Sequence, residues 1–173
     1  MRSSRFALGA LAALAVAGTG CAYGFAGGGF PPEIRTAAVL PFENDTADPT
    51  LVQQVVLSVR EAVERRLGLR SASEARADAV VRGRITRYEP DVPVAFTGTG
   101  QGAGRPNQVA VSRRLVQITL QIEIIEQASG KVLYQNRALN VEGQYDPGRE
   151  AEGRRIALEN IINEIVKGAQ SQW

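Results

Sequence analysis

The chain reads as an α+β protein, a two-layer sandwich with two helices packed on one face of a four-stranded mixed sheet, in the order β-α-β-β-β-α. Three observations carry that reading. Val52, Val55, Val56, Val59 and Val63 fall on one side of a helix, with Gln53, Gln54, Arg60, Glu61 and Glu64 elsewhere. Val116, Ile118, Leu120, Ile122 and Ile124 alternate with Gln117, Thr119, Gln121 and Glu123, the period of a strand with one buried face. Leu158, Ile161, Ile162, Ile165 and Ala169 recur at steps of three and four and make a second amphipathic helix. Two helices with one apolar stripe each bury it most simply against one face of a sheet.

The elements follow in order. Residues 36–42 (TAAVLPF) are short, apolar and partly β-branched, as suits a strand buried on both faces. Residues 43–49 (ENDTADP) are turn material, and Asp48-Pro49 opens the first helix as cap and first-turn proline. Gly68 stops it. Residues 77–88 return to strand, with Ala79, Val81, Gly83 and Ile85 on one face and Val80, Arg82, Arg84, Thr86 and Tyr88 on the other. Pro90 and Pro93 are expected to close that ladder, leaving residues 97–108 as a glycine-rich loop. Residues 127–130 (QASG) have hairpin composition, and residues 131–145 supply the partner strand with poorer alternation. Asp146-Pro147 repeats the cap signal before the last helix, which is expected to end near Gly168. If the first two strands are parallel, their crossover should be right-handed, with both helices on one face.

The N-terminus has a separate logic. Arg2 and Arg5 precede an uninterrupted apolar run, residues 6–17, and then the small residues Gly18, Thr19 and Gly20. That order of charge, apolar segment and small residues is a secretory signal. Cys21, the only cysteine in the chain, stands directly behind it and can be acylated to become the first mature residue. Gly18 replaces the bulky aliphatic usual three positions before a lipidated cysteine, so an ordinary signal peptide is the alternative. The run is too short for a membrane span, which needs about 20 apolar residues. The expected organisation is a signal peptide over 1–20, a lipidated tether over 21–33 and one sandwich domain over 34–173. Ala22, in place of an aspartate, favours the outer membrane, with the domain facing the periplasm.

Composition narrows the chemistry. Without Arg2 and Arg5, 18 basic residues balance 18 acidic ones, so the mature chain has no bulk electrostatic attraction for nucleic acid. Histidine is absent, and the one thiol is assigned to the lipid, which removes imidazole bases and the usual zinc ligand sets. The nucleophile-elbow, phosphate-loop and H-E-x-x-H patterns are missing too. A binding or assembly role without cofactor or metal is expected, rather than an enzyme.

The sheet face opposite the helices is expected to carry Arg82, Arg84, Thr86, Arg113, Gln117, Thr119, Gln121 and Glu123. Two readings stay open: a solvated antiparallel surface, or a docking face for a polar partner, with Arg82, Arg84, Gln117, Thr119 and Gln121 as its candidate residues. Arg82, Arg84, Arg105, Arg113, Arg114 and Arg149 could hold an anion in forked geometry, although pairing with Glu123, Glu126 or Glu142 explains most of them more simply.

The assembled features resemble the lipopolysaccharide-assembly lipoproteins, the LptE family. The likeness rests on Cys21-Ala22-Tyr23-Gly24-Phe25, on residues 34–44 (IRTAAVLPFEN) and 77–85 (ADAVVRGRI), and on the long strand pair followed by a closing helix. The resemblance implies a lipid-anchored partner seated in a large outer-membrane β-barrel (the LptD-like lipopolysaccharide translocon), supporting its assembly and helping lipopolysaccharide reach the outer leaflet. It also implies basic ligand contacts in the loop between the second and third expected strands and near the last helix, for which Arg105 and Arg149 are candidates by position. The alternative is a periplasmic lipoprotein that regulates cell-wall synthesis or builds a secretion pore. A strand hairpin followed directly by one helix would favour the barrel partner.

Overall fold

The alternating run at residues 116–124 lies within the longest antiparallel pairing of the sheet. The computed structural model describes residues 30–98 and 109–171. The leader, Cys21, most of the expected tether and Arg105 lie outside the described residues. In chain order the elements are β1 (Thr36–Val39), β2 (Glu43–Asn44), α1 (Thr50–Glu61), β3 (Arg70–Ser71), β4 (Ala79–Gly98), β5 (Val109–Glu126), β6 (Val132–Tyr145) and α2 (Glu150–Gln170). The strands form one mixed sheet in the order β3-β1-β4-β5-β6, with β2 also paired to β4. β1 and β2 run parallel to β4, while β4, β5 and β6 are mutually antiparallel.

The two-layer α+β sandwich is present, with six strands in place of four. The additional pair, β2 and β3, are two residues each. Neither is long enough to show a periodicity, and Glu43-Asn44 reads locally as turn. It becomes strand only because Arg84 and Ile85 lie alongside.

One apolar cluster joins both helices to one sheet face. Leu51, Val55 and Val59 of α1, Val81 and Ile85 of β4, Ile118, Leu120 and Ile124 of β5, and Ile161 and Ile165 of α2 are all fully buried. Leu51, one turn ahead of Val55, belongs to this stripe beside the expected valines. Phe30 and Ile34, ahead of β1, are buried in the same cluster. Phe42 also enters it, its ring lying over Gly83, where a Cβ would stand 2.5 Å from the ring. That close approach is the reason for a glycine in mid-strand.

α1 begins as its sequence indicates. Asp48 Oδ1 accepts from the Thr50 amide at 2.9 Å and the Thr50 hydroxyl at 2.6 Å. A π-helical turn, Ala62–Arg66, closes the helix, with the Leu67 amide donating to Ala62 O and the Leu69 amide to Val63 O. Gly68, at φ +73°, makes the reversal there.

Four local expectations are corrected. Pro90 and Pro93 do not end the strand: β4 continues to Gly98, paired with β5 throughout. Beyond Ile85 its other edge meets no strand among the described residues, so a missing proline donor breaks no ladder on that side. Residues 97 and 98, expected as loop, therefore belong to β4. Tyr88 lies on the helix face, not the open one. Ile85 pairs with Leu120 and Arg87 with Thr119, so Thr86 is an extra residue whose bulge reverses the alternation. Tyr88 then packs against the core under Arg154, whose guanidinium carbon stands 5.3 Å from its ring centre.

Asp146-Pro147 is a turn and not a cap. The Arg149 amide donates to Asp146 O at 3.0 Å and Gly148 has φ +87°, the conformation a type II turn demands after proline. The helix then starts at Glu150. At its far end α2 runs to Gln170, in keeping with the expected end near Gly168. A Cβ there would stand 2.4 Å from the buried Tyr134 ring, so the glycine serves packing.

Candidate functional site

With both helices on one side, the opposite face of β4, β5 and β6 is covered by no helix among the described residues. β5 holds its alternation without a break, because its sequence alternates without a break: Gln117, Thr119, Gln121 and Glu123 point away from the buried Ile118, Leu120 and Ile122. On β4, Arg82 lies directly opposite Glu123, and Arg84 opposite Gln121. The bulge at Thr86 then brings Arg87 opposite Thr119 and Glu89 opposite Gln117. On β6, Asn140 pairs with Thr119 and Glu142 with Gln117. All five candidate docking residues therefore share one face.

Its electrostatics are balanced. Arg82 Nε meets Glu123 Oε1 at 2.5 Å, Arg84 bridges Glu43 and Asp45, and Arg87 Nε donates to Glu89 Oε1 at 2.8 Å. Arg82, Arg84 and Arg87 each have a carboxylate beside them, whereas Arg137 on β6 donates to the Gln135 side-chain oxygen at 3.3 Å. Such exposed pairs contribute only about 0–1 kcal/mol each to stability. They do cancel the field that would draw in a free anion. The Arg82 and Arg84 side chains are thus committed to acids, as the simpler sequence reading has it for Arg82, whereas the partners of Arg84 are Glu43 and Asp45, acids the sequence places in a turn.

A groove of about 440 Å³ runs along this face. Arg82, Arg84 and Gln121 line it together with Leu40, Glu43, Glu123, Gln135 and Arg137. Gln117 and Thr119 lie farther along β5 and outside it. Gln135 and Arg137 escape sequence reasoning because β6 carries a register break between its pairings with Leu120 and Ile122, which destroys the alternation that would place them. Toward β1 the face becomes apolar: Ala38, Ala77 and Val80 are buried together, with Leu40 and Ala72 against them.

Arg149 stands elsewhere, at the N-terminal boundary of α2, largely exposed and 3.7 Å from Glu152. The structure does not bring it to the groove. No helix among the described residues is long and apolar enough to cross a membrane.

The family model for LptE, lipopolysaccharide-assembly, matches residues 34–169. The chain belongs to the LptE family. The match takes in every described strand and nearly all of α2, so the uncovered face and its groove are part of an LptE domain. No curated protein matches the sequence significantly. Among solved structures, protein XCC0632 from Xanthomonas campestris is similar in fold, with a TM-score of 0.53 at 15% identity, over 82% of this chain and 91% of that one. Lipoprotein GNA1162 from Neisseria meningitidis aligns at a TM-score of 0.43 and 11% identity, over 77% and 99% of the two chains. The PelC dodecamer from Paraburkholderia phytofirmans aligns at 0.45 and 15%, over 73% and 85%.

Proposed function

We propose that this chain is an outer-membrane lipoprotein, anchored through acylated Cys21, that docks its uncovered sheet face against a large LptD-like β-barrel and helps lipopolysaccharide reach the outer leaflet. The role is assembly and binding, without catalysis. The observation that carries this reading is a broad, charge-balanced polar face, free of both helices, within a domain of a lipopolysaccharide-assembly family. A barrel lumen is lined by polar side chains. A surface whose β4 arginines are already paired with acids meets such a lining at a lower cost in stranded charge, which is expensive once water is excluded.

The β5–β6 hairpin, followed directly by α2, is the order that favours the barrel partner over a regulator of cell-wall synthesis or a secretion-pore lipoprotein. The deciding experiment is a crosslinking pull-down of the full chain from outer membranes. Recovery of a large barrel protein supports the proposal. Recovery of a peptidoglycan synthase, or of a ring of this chain alone, selects the alternative.

A further inference from the structure

β4 and β5 outrun the rest of the sheet. The pairing of β5 with β6 ends where Arg114 meets Tyr145, yet β4 and β5 stay paired to Gly98 and Val109. Beyond Arg114 they form a two-stranded ribbon that, among the described residues, lacks the third strand that normally gives such a pair independent stability. Three of the register breaks in β4 fall at or beyond Glu89. The first leaves Pro90 and Asp91 together opposite the single residue Val116.

At that break three strands meet. The Tyr145 hydroxyl, at the end of β6, lies 2.7 Å from Pro90 O and 3.0 Å from Asp91 Oδ1, so one proton is shared between two acceptors of β4. Arg114 of β5 pairs with the same Asp91 carboxylate. The Tyr145 ring is buried, and a Cβ on Gly153 would stand 2.4 Å from it, so α2 rests directly on its side. The hydroxyl is thereby held by the sandwich while its acceptors lie in the break of β4 that leads into the ribbon.

We propose that Tyr145, Asp91 and Arg114 form a clamp that fixes the ribbon to the sandwich, and that opening it lets the ribbon turn as a unit about residues 89–92. The break at Pro90 supplies the joint on the β4 side, because the β4–β5 ladder is interrupted there while β5 stays paired with β6, and the clamp supplies a restraint where β6 ends. The groups facing the clamp support this arrangement: Asp91 is held below the usual carboxylate range, first by Arg114, and Tyr145 is pushed up to about 12, first by burial, so both keep the hydrogen-bonding forms the clamp needs.

The test is hydrogen exchange on the full chain, comparing wild type with Tyr145→Phe, which keeps the ring and deletes only the hydroxyl. Amides of residues 94–98 and 109–113 should exchange about tenfold faster or more, whereas residues 118–124 and 161–165 keep their rates, since local opening is independent of global unfolding. Asp91→Asn, which keeps an acceptor oxygen but loses the ion pair, should give a smaller change of the same pattern, and it decides alone should Tyr145→Phe fail to fold. An unchanged ribbon overturns the proposal. So does acceleration spread equally over ribbon and central strands, which would mark general destabilisation.

Discussion

Gly143 of β6 and Gly153 of α2 meet backbone to backbone: a Cβ on Gly143 would stand 1.8 Å from the Gly153 carbonyl oxygen and 2.7 Å from the Ala157 nitrogen. The helix lies on the strand at the one crossing where neither carries a side chain. Gly143→Ala has no flexible neighbour to displace, so it should cost about 3 kcal/mol, the upper range for overpacking. Gly153→Ala, which meets the Tyr145 ring and Gly143 O, should cost about 2 kcal/mol on the same grounds. Urea denaturation of both variants checks this, and a change under about 0.5 kcal/mol, the size of an ordinary surface substitution, would show that α2 is not held by this contact.

Asp78 ties the start of β4 to β1. Its Oδ2 accepts from the Thr36 hydroxyl at 2.7 Å, the Thr36 amide at 2.9 Å and the Arg35 amide at 3.0 Å. Those bonds, the Thr36 hydroxyl first, hold its carboxyl below the usual range. With the folded-state value depressed, the unfolded chain binds the extra proton in acid. The stabilisation is therefore complete above the unfolded value, about 4, and is lost as pH falls through the folded one. Asp48 shifts in the same direction, led by its bond from Thr50. Asp78→Asn should cost about 1–2 kcal/mol at neutral pH and flatten the fall in stability below pH 4 or so. Denaturation midpoints measured across that range should converge for the two proteins; parallel curves would contradict the assignment.

The export signal expected from the sequence motivates Cys21→Ser. Palmitate labelling should disappear and the protein should move from the outer-membrane to the periplasmic fraction. Continued labelling would place the lipid on another residue.

For the docking face, Gln121→Lys puts a third cation beside Arg84 and Arg82 without touching the core, whereas Gln117→Lys sits between the acids Glu89 and Glu142 and serves as the milder comparison. Thermal stability should change by no more than about 0.5 kcal/mol, the ordinary range for surface positions. Co-purification with the proposed barrel partner should fall severalfold for Gln121→Lys. Unaffected co-purification would make this face a solvated surface.

Arg105 and Arg149 are the candidate lipopolysaccharide contacts. Arg105→Glu and Arg149→Glu should each reduce lipopolysaccharide binding severalfold in a direct binding assay. The single exposed pair of Arg149 with Glu152 means its loss costs only about 0–1 kcal/mol of stability. Unchanged affinity in either variant removes that residue from the site.

Periodic signals proved readable where the chain keeps one period. Residues 116–124 alternate without a bulge, and their buried and open faces follow directly; α1 and α2 keep a step of three or four, and their stripes are buried. Reading fails where the register breaks. Tyr88 changes face because Thr86 is inserted, and Gln135 and Arg137 reach the groove because β6 slips near Asn136. No local signal marks either break. Asp146-Pro147 failed for a different reason: Asp-Pro suits a cap and a turn equally, and Gly148 at positive φ selects the turn.

From its residues alone, this protein determined two amphipathic helices, a long strand with one dry face and the sandwich that joins them. Those are consequences of spacing along the chain, which needs no partner to be expressed. Tertiary structure alone decided that Glu43-Asn44 pairs with β4, that Arg84 is neutralised by Glu43 and Asp45, and that Tyr145 spans two strands to hold Pro90 and Asp91. Each of those contacts joins residues about 40 or more positions apart, and which strand edge lies beside which is set by burial of the whole core, not by any local preference.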